Sequence, residues 1–345
     1  MMKNEIKKII EAVFCEFKFR EMHKEEWALI LKHTKYAPCE YLNEYIDFAN
    51  EIKESKEAQV FDLSLLIKEK STVIGLWRLH CLKKSSLQGN VSYEFVVYPP
   101  ILISNLSPML ARATVKKCIS TANLIAKHLS IDLWMSHDFF QNSVGLSLWY
   151  RESINNSAGI TGLHDLYINL TSSYADIKSQ IRGSYRSMLG LGDKFQLGVL
   201  SGSKNEIIWR DFKNLHLEAS GRKTRSDQSW DMQYKSIVSG TGFLIYIYDK
   251  EKMMAGSFFY TTLHECMYGV AAYSRDNKKS NFGHVSLNAA IRVAQDKGLL
   301  WCRLGEINFE SEPNALSNKE RAIEFFKKGF ATDLMKRYKL THASN

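Results

Sequence analysis

The stretch GFLIYIYDKEKMMAGSFFYTTLHECMYGVAAYS, residues 242–274, decides the fold. Its first run alternates aromatic and β-branched residues, and the polar trio Lys250-Glu251-Lys252 turns it back as a hairpin. ECMYGVAAYS then predicts a third strand. Beyond it, Leu287, Ala290, Ile291 and Ala294 recur on one face of a predicted helix 284–297 that stops at Gly298, and LLWCRLGE predicts a last strand.

The same order occurs earlier in the chain. VFDLSLLI (60–67), the turn Lys68-Glu69-Lys70, TVIGLWRLHCL and VSYEFVVY predict a hairpin and a third strand. A helix follows, capped by Ser107 with Pro108 in its first turn, and IDLWMSH predicts the closing strand. Gly75 matches Gly256, and Leu133-Trp134 matches Leu300-Trp301. Self-similarity of this kind predicts a duplicated unit. RESINNSAGITG reads as the linker between halves, giving lobes at 1–155 and 163–345. The fold class expected is α/β (α+β): two tandem lobes, each a mixed, mostly antiparallel sheet flanked by helices.

With 345 residues, 45% of them hydrophobic, the chain suits two globular domains. A net charge of +9 favours polyanionic partners: nucleic acid, anionic lipid, nucleotide-linked sugars or coenzyme A. Six scattered cysteines without a CxxC pair argue against a structural metal and for a reducing compartment. The N-terminal MMKNEIKKIIEAVFCEF is interrupted by charges and reads as an amphipathic helix, not a secretion signal. No apolar run is long enough to span a bilayer, and the location expected is cytoplasmic.

Further residues narrow the reading. HDLYINL predicts a strand, followed by a glycine-broken helical stretch containing Tyr185-Arg186. Gly221-Arg222-Lys223-Thr224-Arg225-Ser226 precedes Trp230. Tyr268-Gly269-Val270, His284, Leu304-Gly305-Glu306 and Phe326-Lys327-Lys328-Gly329-Phe330 follow. In this order, over about residues 163–330, the sequence resembles the FemAB-like acyltransferases of the GNAT (N-acetyltransferase) superfamily.

The resemblance implies an N-acyltransferase that moves an acyl or aminoacyl group from acyl-coenzyme A or aminoacyl-tRNA to an amine. The implied acceptor is an amino sugar or peptide of cell-surface polysaccharide or peptidoglycan biosynthesis, either a small molecule or nucleotide-linked. No cofactor is expected to stay bound, and acyl-coenzyme A would be a co-substrate. Coenzyme-A-binding relatives place a glycine-rich loop before the main helix. Here it reads Lys278-Lys279-Ser280-Asn281-Phe282-Gly283-His284 with one glycine, so lysine charge is expected to replace close backbone approach to a pyrophosphate.

Each candidate residue carries two readings. Arg222 and Arg225 suit bidentate anchoring of phosphate or carboxylate, or form a solvated loop. Trp230 stacks on a substrate or pins its helix; Tyr185 and Arg186 bind substrate or pack. His284 accepts a proton or merely opens a helix. Glu306 serves as base or ion-pairs with Arg303; Tyr268 protonates a leaving group or fills the sheet. Lys278, Lys279, Gly283 and His284 are the donor-binding set. The basic tail (Lys327, Lys328, Lys336, Arg337, Lys339) tracks a phosphate backbone or is a helix with one charged face. A rival of another class is a catalytically inactive nucleic-acid-binding protein on the same fold; steep salt dependence of RNA binding would mark it.

Overall fold

The computed structural model describes residues 2–54, 58–85, 91–140, 142, 145–155, 159–190, 195–274, 281–307 and 316–344. Two compact units result: Met1–Ala37, Ala49–Leu163 and Lys336–Asn345 form the first, and Pro38–Phe48 with His164–Met335 form the second.

The first half of the chain runs α1 (Met2–Val13), β1 (Phe17–Phe19), α2 (Lys24–Leu31), α3 (Asn43–Lys53), β2 (Ala58–Asp62), β3 (Leu65–Glu69), β4 (Thr72–Trp77), β5 (Leu79–Ser85), β6 (Val91–Val97) and β7 (Ile101–Leu102). α4 (Pro108–His128), β8 (Leu133–Asp138) and α5 (Leu148–Ile154) follow. β9 (Gly159–Asn169), α6 (Tyr174–Gln180), α7 (Gly183–Arg186), β10 (Gln196–Leu200), α8 (Glu206–Ser220) and α9 (Asp227–Ser239) lead into the second half. It continues with β11 (Gly242–Asp249), β12 (Lys252–Thr261), β13 (Glu265–Tyr273), α10 (Phe282–Asp296), β14 (Trp301–Ile307), α11 (Asn318–Lys328) and β15 (Asp333–Ala343).

The predicted order is present in both units. In the second, β11, β12 and β13 pair antiparallel in sequence, α10 crosses over, and β14 returns parallel to β13. In the first, β2, β5 and β6 pair antiparallel, α4 crosses, and β8 lies parallel to β6. Each unit also takes an antiparallel strand from elsewhere in the sequence: β14 pairs with β9, and β8 with β15. The fold class is therefore the expected mixed α/β, with mostly antiparallel sheets.

Four local expectations are corrected. VFDLSLLI is two strands, because the Asp62 carboxylate accepts the Ser64 N–H at 2.9 Å and folds an Asx turn between them. TVIGLWRLHCL likewise breaks at Arg78, whose carbonyl leaves the strand to accept the Tyr98 N–H at 2.9 Å. The described residues of the expected linker belong to the end of α5 and the start of β9: Ser147 caps α5, Trp149 is buried, and buried Glu152 takes a 2.6 Å contact from Arg112. Lys336, Arg337 and Lys339 lie on strand β15, not on a helix. Period-two burial of the alternate residues Leu340 and His342, the latter stacked on Trp134 at 3.7 Å, decides for strand.

The first unit's core joins Ile6 and Ile10 of α1 to the buried face of α4 and to Trp77 and Trp134. The second packs Leu287, Ala290, Ile291 and Ala294 of α10 on Phe243, Phe259, Cys266 and Cys302. Five of the six cysteines are buried and all are free thiols. Burial pushes the Cys81 thiol up to about 12, so it remains protonated. Among the described residues no helix is long and apolar enough to cross a membrane, and no cluster suits a metal ion.

Candidate active site at a strand splay

β13 and β14 are parallel partners only from Glu265 to Met267, opposite Trp301 to Arg303. Beyond that vertex they part, and a cavity of about 750 Å³ opens beside β13. Its walls are Tyr268–Ser274, the first turn of α10 and one face of α11. Along β13 the register skips: Phe259 faces Tyr268 and Phe258 faces Val270. Gly269 is the extra residue of this bulge, so its backbone is outside the ladder and lies at the cavity wall.

Tyr268 is half-buried, and its hydroxyl shares a hydrogen bond with Tyr273 (3.0 Å), which reaches Ser257 (3.1 Å). Burial, followed by Tyr273, holds the Tyr268 phenol well above its usual range. It therefore keeps its proton. His284 opens α10 after Asn281, which adopts φ 48°, a left-handed conformation asparagine tolerates. Its ring packs 4.3 Å from Tyr185, 5.1 Å from Phe326 and 5.8 Å from Phe330. Burial lowers the imidazole's pKa, with the Asn281 carbonyl opposing and Arg182 assisting. Nε2 is buried and has no hydrogen-bond partner among the described residues. A neutral ring with an open nitrogen thus lines the cavity.

Tyr185 packs against this ring: it is buried, with its hydroxyl 2.6 Å from an Arg182 guanidinium nitrogen. Arg186 turns away and donates to the carbonyls of Ile181 (2.8 Å) and Ser179, closing the end of α6. Gly283 lines the cavity, while Lys278 and Lys279 lie outside the described residues. Glu306 is exposed on β14, in register with Asp165, and is not a cavity-wall residue.

The arginine loop lies between α8 and α9. Gly221, at φ 70°, ends α8, and the Ser226 hydroxyl accepts the Ser229 N–H at 3.1 Å to open α9. Arg225 then stacks on Trp230 with its guanidinium carbon 3.4 Å from the ring centre. Burial draws its pKa down to about 10. Its Nε and one terminal nitrogen are buried without a hydrogen-bond partner among the described residues. Trp230 is itself buried against Trp209, Phe212 and His216, so it both carries the guanidinium and pins α9. Arg222 is exposed.

Two features were not singled out as site residues from sequence. Lys327 of α11 lies at the cavity, with its ammonium 5.9 Å from the Tyr268 ring and no hydrogen bond or ion pair among the described residues. Burial lowers its pKa, Glu324 opposing. Gly305, at φ 111°, makes the room: a Cβ there would stand 3.0 Å from the Lys327 nitrogen. The glycine and the lysine were both visible in sequence; their proximity was not. The second feature is the splay vertex. Buried Arg303 binds Glu40 and, at 2.9 Å, Asp165, while Glu265 accepts the Cys39 N–H at 2.7 Å. Burial alone would lower the guanidinium's pKa, but Glu40, Tyr167, Asp165 and Glu265 together hold it above its usual value.

No protein-family model matches the sequence, and no curated protein sequence matches it. Solved structures do. The chain is similar to FemX (TM-score 0.66, 11% identity, 94% of this chain and 96% of that one). It is also similar to L-PGS from Bacillus licheniformis (0.58, 12%, 93% and 92%) and to a conserved protein of unknown function from Bacteroides thetaiotaomicron (0.56, 9%, 94% and 99%). At these identities the likeness concerns the fold alone: the chain shares the fold of FemX and L-PGS.

Proposed function

We propose that the chain is an N-acyltransferase acting at the β13–β14 splay. The observation that carries this reading is a desolvated, unpaired Lys327 ammonium beside a bulged strand in an open cavity. An amine attacking an ester or thioester carbonyl forms the new C–N bond and a tetrahedral oxyanion. The Lys327 ammonium and the Gly269 N–H are suited to stabilise that charge in a partly dry site. Neutral His284 is the wall residue able to accept the amine's proton. Tyr268, still protonated, is able to give one to the departing thiolate or ribose oxygen as the old bond breaks. Arg225, with unsatisfied N–H groups on an aromatic platform, suits a phosphate or carboxylate of a substrate.

The fold shared with FemX and L-PGS supports acyl or aminoacyl transfer over other chemistry on this scaffold. The donor is an acyl-coenzyme A or an aminoacyl-tRNA, and the acceptor an amino sugar or peptide of cell-surface polymer synthesis. Thermal shift and native mass spectrometry with acyl-coenzyme A species and charged tRNA test the donor, because a site-specific ligand raises stability by mass action. Lys327→Met should weaken binding of the effective donor by tenfold or more and abolish product, with the unliganded melting temperature kept within a few degrees. Unchanged affinity and turnover in that variant would remove the lysine from the mechanism, and a panel without any stabilising donor would sink the reading.

A further inference from the structure

A second cavity, of about 560 Å³, lies in the groove between α8 and α9. The helices run antiparallel: Lys213 meets Asp227 near the turn, and Trp209 meets Tyr234 away from it. Charges are sorted along this groove. At the turn end Lys213 and Lys223 share Asp227, at 3.3 and 2.7 Å, which leaves exposed Arg222 with no ion pair among the described residues. At the far end Glu206 is an exposed carboxylate, and exposed Asp231 lies part-way along, one turn of α9 beyond Asp227; neither has an ion pair among the described residues. Arg210 shares that end but leans toward Asp211, at 4.0 Å.

Between the two ends the wall is aromatic. Trp209 and Tyr234 stack at 5.6 Å and 20°, and Trp230 meets Trp209 edge-on at 5.7 Å. The Trp209 indole N–H and the Tyr234 hydroxyl are buried, with no hydrogen-bond partner among the described residues. Buried polar groups normally find partners, so two such groups in the wall of a groove point to a ligand that supplies them.

We propose that this groove is a second binding site, for a short extended peptide with a free carboxylate at one end and an ammonium at the other. Arg222 would fork onto the carboxylate, and Asp231 and Glu206 would take the ammonium beside aromatic faces that attract cations. The backbone amides passing over Trp209 and Tyr234 would satisfy the indole N–H and the phenol. From Leu217 to Glu206, α8 spans about 16 Å at ~1.5 Å per residue, the length of about four or five extended residues at ~3.5 Å each. The cavity volume falls within the usual range for small-ligand sites, about 300–1,000 Å³. The assignment does not depend on acyl transfer at the strand splay.

The probe is the tetrapeptide lysyl-alanyl-alanyl-alanine, titrated into the full chain with tryptophan emission and heat as readouts. Binding should change the emission, since Trp209 and Trp230 line the groove. Amidating the carboxylate should weaken binding at least tenfold in the wild-type chain and have little further effect in Arg222→Ala. Acetylating the amines should weaken it similarly, and much less in Glu206→Gln/Asp231→Asn. Lys327→Met, altered only in the other cavity, should bind the peptide as the wild type does. Absence of binding at millimolar peptide, indifference to both end modifications, or loss of binding in Lys327→Met would each overturn the assignment.

Discussion

Replacing Arg303 with methionine tests what holds the splay vertex together. Arg303 is 7% exposed, and the carboxylates it engages, Glu40 and Asp165, are 6% and 2% exposed. Methionine keeps much of the volume but takes the guanidinium away from two carboxylates in a setting water barely reaches. Breaking one partner out of a buried pair costs about 3–5 kcal/mol, and the upper half of that range applies because one cation serves two acids. Urea unfolding at pH 7 should show this loss. Buried carboxylates without that cation are easier to protonate folded than unfolded, so the loss should shrink as pH falls toward 4.5. Adding Glu40→Gln to Arg303→Met removes one of these charges and should return about 1.5 kcal/mol or more. A loss below about 1 kcal/mol at pH 7, or a double variant no more stable than the single, would show that the vertex does not depend on this ion-pair knot.

Two further outcomes follow from single residues. Burial raises the Asp138 carboxyl to about 6, with Ser147 and the Phe139 N–H opposing, so the folded chain holds a proton that the unfolded chain has released between about pH 4 and 6. Stability contributed at this site therefore falls as pH rises through that window, by up to ~3 kcal/mol. His137 and His342, both lowered to about 4 by burial, act with the opposite sign there, so the measure is Asp138→Asn minus wild type at each pH. That difference should grow from near zero at pH 4 to its full value by pH 7, and a pH-independent difference would refute it. At Gly329 a Cβ would sit 2.1 Å from the Tyr185 ring. Gly329→Ala should cost about 1–3 kcal/mol through overpacking, read as a lowered melting temperature; an unchanged midpoint would mean that the ring moves freely.

Signals confined to one element were legible in the sequence. Gly298 marked the end of α10, Ser107 and Pro108 the start of α4, and the lysine-glutamate turns both hairpins. Signals that needed a partner far along the chain were not. The strand break at Leu63 and Ser64 depends on Asp62, whose other carboxylate oxygen is held by buried Arg20, more than forty residues away. Glu40 looks like an ordinary surface acid until Arg303 is brought to it, and Lys327 looks like one more residue of a basic tail until Gly305 leaves it room. Arg186 shows the same limit: the resemblance put it among the substrate-binding residues, while its contacts with the carbonyls at the end of α6 appear only in the fold.

The two repeated units differ where the proposed mechanism needs a backbone donor. Their registers align Val97 opposite Ser136 with Met267 opposite Arg303 as the last parallel pairs before divergence. The next residues are Tyr98-Pro99-Pro100 in the first unit and Tyr268-Gly269-Val270 in the second. Proline has no N–H, and the Tyr98 N–H is already given to the Arg78 carbonyl at 2.9 Å. The Arg78 guanidinium lies 4.1 Å over the Tyr98 ring. Past its vertex, then, the first unit's strand has no backbone donor among these three residues to offer a developing oxyanion. In the second unit the corresponding place holds the extra glycine of a bulge, and Lys327 lines the same cavity. On the proposed mechanism the oxyanion donor would come from the bulged Gly269, a role that Pro99 and Pro100 cannot fill at the corresponding place in the first unit.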